Sequence, residues 1–474
     1  MSNHAKMICT IGPATNTPIR IRQLIQSGMR VARLNFSHAA HADHAKVIRI
    51  VREESNKLKV PVAILQDLQG PKIRLGKIAE GTHTLRPGDT FILTTHNLIG
   101  NRQIASVTYK KLADEVSAGD TIFMSDGIME LKVTRVRRTD VYCKVIQGGI
   151  IGSHMGLNLP NTRLSTPSMT AKDKRDLAFG IKMKVDYVAL SFVRDASDVI
   201  RLRKMIKKLH GSARIIAKLE LAMAVSAEHL DPIIEAADAV MIARGDLGVE
   251  LPLEEVPMSQ KTIIQHAFTL AKPVIVATQM LESMTIHPRP TRAEVSDVAN
   301  AIFDGADAVM LSGETARGKH PLQAARTMVR IVERTERAIA RRHTSTLEHL
   351  PETAPVTEHL CYSASILAQH LGVKAIVAFT ESGTTARYIS KFHPRVPIYV
   401  LSPKHHVVNQ SQLFWGAQSM FFRRGRHSEA LIRRMEHLLL SKKLVSHGDR
   451  IIMLLGMPLS SHGPTNTIKI HTIH

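Results

Sequence analysis

The sequence predicts an α/β protein: a (β/α)8 TIM barrel with an inserted small β-barrel domain and a C-terminal α/β domain. Three observations predict it. Eight short runs rich in Val, Ile, Leu and Ala recur, each ending in polar or charged residues, with helical patterns between them. One interval between runs is far longer than the others and reads as β-structure. After the eighth run and a polar linker, a strand–helix pattern begins again.

In chain order the runs are KMICTIG, MRVARLNFS, VPVAILQD, VDYVALSF, ARIIAKLE, ADAVMIARGD, KPVIVATQ and ADAVMLSGE. Each is about strand length and apolar on both faces, as strands of a helix-covered parallel sheet must be. Eight such units favour a closed barrel over a doubly wound open sheet. The clearest helix is TRAEVSDVANAIFDG. Thr291 and Glu294 make a capping box, Val295, Val298, Ala299 and Ile302 share a face, and Gly305 ends it.

Runs follow one another at about 25 to 35 residues, except that well over a hundred separate VPVAILQD from VDYVALSF. That interval contains LRPGDTFILTT, AGDTIFMSDGIMELKV and TDVYCKVIQGG, which alternate polar with apolar and carry Gly-Asp turns. The expected division is a barrel over 1–69 and 168–340, an inserted lid domain over 70–167, and a C-terminal domain over 356–474. RRHTSTLEHLPETAP reads as the linker to the last of these, which continues as HLCYSASILAQHLG, VKAIVAFT, VPIYVLS and DRIIMLLG.

Composition narrows the function classes. A chain of 474 residues exceeds one ordinary core. With 44% hydrophobic and 22% charged residues it is globular rather than disordered. No stretch approaches the roughly 20 continuous apolar residues of a membrane span. The N-terminal MSNHAKMICT lacks a signal-peptide core, which points to the cytoplasm. Cys9, Cys143 and Cys361 sit apart in apolar runs and read as small buried hydrophobes. The net charge of +22 is dispersed and only 4% of residues are aromatic, so base stacking has little to work with. A basic surface instead suits steering of anionic metabolites, and neither nucleic acid nor membrane is an expected partner.

Barrel chemistry belongs to the C-terminal ends of the strands. Those ends carry Arg33, Asn35, Ser37, Asp67, Lys218, Glu220, Arg244, Asp246, Thr278 and Glu314. Glu220 and Asp246 follow neighbouring strands, so their oxygens can share an ion; two carboxylates with substrate oxygens and water suit Mg2+ or Mn2+. Arg33 and Lys218 supply fixed positive charge for a phosphoryl group. No covalent nucleophile is apparent, and positioning with charge neutralisation suffices for phosphoryl transfer.

The segments CTIGPAT, VARLNFSH, DLQGPKIR, NLPNT, IIAKLE, ARGDLGVELP, VATQMLESM, RPTRAEVSDVANAIFDGADAVMLSGET and TESGTTARYISKFHP resemble the pyruvate kinase family over essentially the whole chain. The resemblance implies phosphoryl transfer from phosphoenolpyruvate to ADP, followed by protonation of enolpyruvate to pyruvate. It implies that Lys218 stabilises charge on the moving phosphoryl and the enolate oxygen, that Glu220 and Asp246 hold the divalent metal, and that Arg33 contacts the substrate phosphate. Gly245, Asp246 and Thr278 match residues around the substrate carboxylate, and Thr278 matches a threonine implicated in enolate protonation. Asn35, His38, Arg74 and Lys172 match the nucleotide side, although Lys172 also follows Thr170 at an expected helix start.

Many members of that family need K+ and carry Asp-Thr-Lys-Gly-Pro-Glu-Ile-Arg where this chain has Asp67-Leu68-Gln69-Gly70-Pro71-Lys72-Ile73-Arg74. Asn35, Ser37 and Asp67 still match ligands of the monovalent ion. Lys72 in place of the glutamate reverses the local charge by two units, so its ammonium is expected to replace K+. Leu221, Ala39 and Met155 also depart from the family pattern, without removing an expected catalytic group. In the C-terminal domain Thr380, Ser382, Gly383, Thr384 and Thr385 follow a strand and open a helix, a ready phosphate cradle. They resemble the family's effector-phosphate loop, which implies activation by a sugar phosphate or nucleoside monophosphate; a homotetramer is implied likewise. A dikinase would need a phosphohistidine domain that the C-terminal region does not display. A non-catalytic paralogue is disfavoured by intact Arg33, Lys218, Glu220, Asp246 and Thr278.

Overall fold

A computed structural model describes residues 4–125, 127–160, 162, 165, 167–341, 350–425, 427–458 and 463–474. Asn161 of the NLPNT segment and residues 342–349 of the expected linker lie outside the described residues.

Eight parallel strands close into a barrel: β1 (Lys6–Thr10), β2 (Met29–Asn35), β3 (Ala63–Asp67), β4 (Tyr187–Leu190), β5 (Arg214–Leu219), β6 (Ala239–Ala243), β7 (Val274–Ala277) and β8 (Ala308–Leu311). They follow chain order around the barrel, and β1 pairs with β8 to complete it. Each lies within one of the eight apolar runs. Alternate residues separate into two cores. Ile8, Val31, Leu65, Ile216 and Met241 belong to one cluster, while Cys9, Ala32, Ile64, Ile215 and Val240 pack with helix residues such as Leu24 and Val51. Side chains alternate along a strand, so the first set fills the barrel and the second seats the helices. Fully burying each large aliphatic residue stabilises the fold by about 1.5–3 kcal/mol.

The helix Arg292–Phe303 carries the expected capping box, with the Thr291 hydroxyl accepting from the Glu294 amide. Its buried face differs from expectation. Val298, Ala301 and Ile302 are buried, whereas Val295 is exposed. The buried stripe begins only at the helix's second turn.

The inserted domain contains a seven-stranded sheet. Thr121–Met124, Met129–Arg137 and Asp140–Gln147 form its antiparallel centre, and Ile73–Arg74 and Ile104–Ser106 its two ends. An antiparallel bridge between Leu75 and Val107 joins those ends and closes the sheet into a small barrel around Phe91, Leu93, Leu131 and Val141. The C-terminal domain is a five-stranded sheet in the order Ala417–Phe421, Ile398–Ser402, Ala375–Phe379, Arg450–Leu455, Thr467–Thr472, with only the last strand antiparallel. Its first and last strands are not evident from the sequence, because AQSMF is broken by the adjacent Gln418 and Ser419 and TIKIHT carries polar residues at alternate positions, and neither has a strong apolar run. Among the described residues no helix is long and apolar enough to cross a membrane. All three cysteines are free and buried, as expected.

The C-terminal domain is fastened to the base of the barrel. The Tyr187 hydroxyl donates to Gln410 O at 2.6 Å, and Lys6 Nζ donates to Ala417 O at 2.7 Å. Burial, and then the charge of Arg30, drag the Lys6 ammonium down to about 7 from an ordinary 10.5. Between those values the unfolded chain holds a proton that the folded chain sheds, so this group's contribution to stability improves as pH rises. Lys6→Met is therefore expected to shift the melting temperature more favourably at pH 6.5 than at pH 9, relative to wild type at each pH. A shift independent of pH contradicts this.

Candidate active site

Strand register assembles the site. Thr10 pairs with Arg33, and Asn35 pairs with Asp67. The Arg33 guanidinium therefore lies between its neighbours, donating to Asp67 Oδ2 at 2.7 Å and to Thr10 Oγ1 at 2.9 Å. Leu190 pairs with Ala217, which brings Ser191 beside Lys218. Lys218 Nζ donates to Ser191 Oγ at 2.9 Å and stands 2.6 Å from Glu220 Oε1 and 3.4 Å from Asp67 Oδ1. Burial alone would lower the Lys218 pKa, but Asp67 and Glu220 outweigh it and raise it above the usual lysine range. The ammonium is thus charged throughout the physiological range. Burial pushes Asp67 up, and the charges of Lys218 and Arg33 overcome it and hold the carboxyl below its ordinary value.

Glu220 is fixed on its other side by the Phe192 amide, which donates to Oε2 at 2.7 Å. Burial pushes its pKa up most, Lys218 pulls it down, and the Asp246 carboxylate pushes it up again. The net rise is that of a buried acid close to a second acid. Leu219 pairs with Ile242, so the two carboxylates leave adjacent strand ends. Two hard oxygen donors leaving adjacent strand ends fit a divalent cation. Among the described residues no cluster of three His, Cys, Asp or Glu side chains suited to a metal exists.

Asp246 lies in the short helix Arg244–Glu250, and its Oδ1 is 3.4 Å from Lys72 Nζ. Lys72 thus reaches the barrel rather than solvent, and its stem passes close enough to Gly156 that a Cβ there would sit 3.1 Å from Lys72 Cε. Thr278 has φ +69° and Gln279 +54°. A β-branched residue in the left-handed region is a genuine outlier, of the kind that collects at functional sites. Thr278 is held there through its hydroxyl, which accepts from the Gly245 amide at 2.8 Å and donates to Ala277 O at 2.6 Å. Arg244 braces the same turn, donating to Thr278 O at 2.9 Å and gripping both oxygens of Asp297.

The residues matched to the nucleotide side border this cluster. His38 is held below its ordinary pKa by burial and by the charges of Arg74, Arg33, Arg317 and Lys172. A rim of cations therefore gathers around it. Asn35 Oδ1 accepts from the Ser37 amide at 3.0 Å. Arg74 donates to His154 O at 3.0 Å, and Lys172 to Phe36 O and Asp176. Lys172 sits just inside the capping box of Thr170 and Asp173, as its sequence position suggests. Ala39 has φ +66°, which explains why glycine is usual there. Lys72 directs its charge at Asp246.

The C-terminal loop is built separately. Gly383 has φ +83° and its amide donates to the Thr380 hydroxyl at 2.9 Å. Ser382 Oγ donates to Thr384 Oγ1, and Thr385 bonds Thr465. A cavity of about 400 Å³ opens over these hydroxyls, with Lys404 and Arg424 on its wall. Arg214, the first residue of β5, donates to Ser382 O, and a Cβ on Gly383 would strike its guanidinium at 2.7 Å.

Several supporting groups escaped the sequence reading: Thr10, Ser191, the Phe192 amide, Asp297 and Arg317. Thr10, Ser191 and Phe192 are signalled only by their position at or just past a strand end, which needs the register to interpret, while Asp297 lies on a helix and Arg317 caps one, with no sequence signal of their own. Glu314, included among the strand-end residues, is buried and accepts from the Leu281 and Ser312 amides, so it braces turns. Glu250, one turn beyond Asp246, is pushed up to about 7, chiefly by burial.

A family model for the pyruvate kinase barrel domain matches residues 2–325, and one for the pyruvate kinase alpha/beta domain matches residues 358–471. The chain is 43% identical to a pyruvate kinase of Corynebacterium glutamicum over 473 residues, 100% of this chain and 98% of that one. It is 42% identical to one of Mycobacterium tuberculosis, covering 100% and 99%. The crystal structure of a pyruvate kinase from Cryptosporidium parvum superposes with a TM-score of 0.91 at 35% identity, covering 100% and 97%. The chain belongs to the pyruvate kinase family.

Proposed function

We infer that the chain transfers the phosphoryl group of phosphoenolpyruvate to ADP, giving pyruvate and ATP, with Lys218, Glu220 and Asp246 at the centre of the reaction. The observation that carries this reading is the buried, charged Lys218 ammonium set 2.6 Å from Glu220, with Asp246 close enough to raise that acid. Members of the family generally use Mg2+. Glu220 and Asp246 would hold a divalent ion, which would supply Lewis-acid charge to the substrate.

The chain's own groups supply the rest. Arg33, pinned by Asp67 and Thr10, presents a fixed cation to the phosphate. Lys218 offsets negative charge as the bond between phosphorus and the enol oxygen breaks. The Arg244–Glu250 helix and Thr278 seat the carboxylate, and the Thr278 hydroxyl lies on the route of the proton that enolpyruvate takes at its methylene carbon. His38, Arg74, Lys172 and Asn35 receive the nucleotide. Lys72 takes the place of K+, while Asn35, Ser37 and Asp67 remain as polar neighbours. The inserted domain, residues 70–167, acts as a lid between barrel segments 1–69 and 168–340. Strand Ile73–Arg74 already belongs to the inserted sheet, which supports the first boundary. A coupled assay with phosphoenolpyruvate, ADP and Mg2+ tests the reading: pyruvate and ATP appear together. Absence of both at saturating substrate overturns it.

The loop of Thr380, Ser382, Gly383, Thr384 and Thr385 takes the phosphate of an activating sugar phosphate or nucleoside monophosphate in the domain 356–474, within a cytoplasmic homotetramer. Arg214 connects that loop to β5, whose far end carries Lys218. Phosphate esters are expected to shift the phosphoenolpyruvate saturation curve to lower concentration. Arg214→Met should remove the shift while ester binding, followed by calorimetry, persists. An unchanged wild-type curve across a panel of esters contradicts the effector role.

A further inference from the structure

We propose that the cavity at the hinge of the inserted domain binds an uncharged, largely apolar small molecule carrying one N–H or O–H donor, and that its occupancy biases the angle of that domain. The cavity encloses about 500 Å³, a volume typical of small-molecule sites. Both crossings between barrel and insertion wall it, residues 71–73 on the way out and 157–160 on the way back. The turns that follow β4 and β5 and the end of the Arg244–Glu250 helix form the opposite side. Of the residues assigned to substrate, nucleotide and ions, only Lys72 lines it.

Its lining specifies the occupant. Asn158 is 7% exposed, and its Oδ1 accepts no hydrogen bond among the described residues. A buried carbonyl of this kind is costly to leave without a donor. Half of the lining residues are apolar, among them Leu157, Phe192, Leu221 and Met223. The cations on the rim are committed: Lys72 to Asp246 and Arg194 to Asp198. Asp195, Glu228 and Glu250 add negative charge, which disfavours phosphate esters. An apolar body with a single donor matches these walls; the anionic substrates do not.

A molecule touching both crossings and the barrel turns binds one lid angle better than others, and so shifts the population of angles. Lys72 carries the effect to Asp246.

N-phenyl-1-naphthylamine, neutral, apolar and bearing one N–H, is a suitable probe because its fluorescence rises in apolar surroundings. Titrated into the full-length enzyme, it is expected to saturate at one site per chain. Asn158→Leu keeps the volume but removes the acceptor, and should weaken binding about fivefold. Met223→Trp fills the cavity and should weaken it by about tenfold or more. The probe should also change the turnover of wild type and leave that of Met223→Trp unaltered. Equal affinity in wild type and both variants, or no saturable binding, overturns the proposal. Either result leaves the phosphoryl-transfer reading standing, since the coupled assay decides that separately.

Discussion

Replacing Lys218 with methionine lowers kcat by about 10³-fold while the affinity for phosphoenolpyruvate changes only several-fold. The reason lies in what the ammonium faces. It is bonded to Ser191 and stands between Asp67 and Glu220, so it is already fixed before substrate arrives. A pre-placed charge needs no reorganisation and acts most strongly where charge changes, at the enol oxygen and the moving phosphoryl. Methionine keeps most of the unbranched stem and removes the charge together with the hydrogen bond to Ser191. It also leaves the buried Glu220 without its counter-ion, while Asp67 keeps Arg33, at a cost of about 3–5 kcal/mol in stability. Circular dichroism and a melting curve must therefore accompany the kinetics. The measurement is a kcat and KM pair from the coupled assay, with the substrate Kd from calorimetry. Equal loss of turnover and of binding contradicts a role confined to the transition state.

The second large effect concerns Lys72. In tetramethylammonium buffer the wild-type enzyme is expected to turn over as fast as in KCl. Lys72→Glu is expected to fall by about 10²-fold in tetramethylammonium and to recover when KCl is added. The substitution turns an ammonium 3.4 Å from Asp246 into a carboxylate, changing the local charge by two units beside anionic substrates. A monovalent cation is then the missing compensation. Rates measured across a KCl series for both proteins decide the matter. A wild type that collapses without K+ contradicts the assignment.

Much of the architecture is legible in the sequence because parallel barrel strands are buried on both faces. The stretch Ala308–Leu311 within ADAVMLSGE is apolar at every position and still a strand, and its polar exit marks the end where barrel chemistry belongs. That logic located all eight strands and placed Arg33, Lys218, Glu220, Asp246 and Thr278 on one mouth. It did not show who holds them. Ser191 supports Lys218 only because β4 and β5 pair in one register, and Thr10 supports Arg33 only because β1 and β2 do. The strand Ala417–Phe421 escaped because Gln418 and Ser419 break its apolar run. Val295 seemed to continue the helix's buried stripe, yet it is exposed, so periodicity alone overstated that face. Lys72 was legible as a charge reversal, but its partner Asp246, 174 residues away, was not. The hinge cavity was invisible for the same reason: its walls come from five separated segments of chain.

The most direct test of the central claim is Mn2+ binding in the presence of phosphoenolpyruvate, followed by electron paramagnetic resonance for wild type, Glu220→Gln and Asp246→Asn. One Mn2+ per chain is predicted for wild type, with the affinity weakened by about tenfold or more in each variant. If both variants hold the ion as tightly as wild type does, the two carboxylates do not share it, and the account of phosphoryl transfer at this barrel mouth is contradicted.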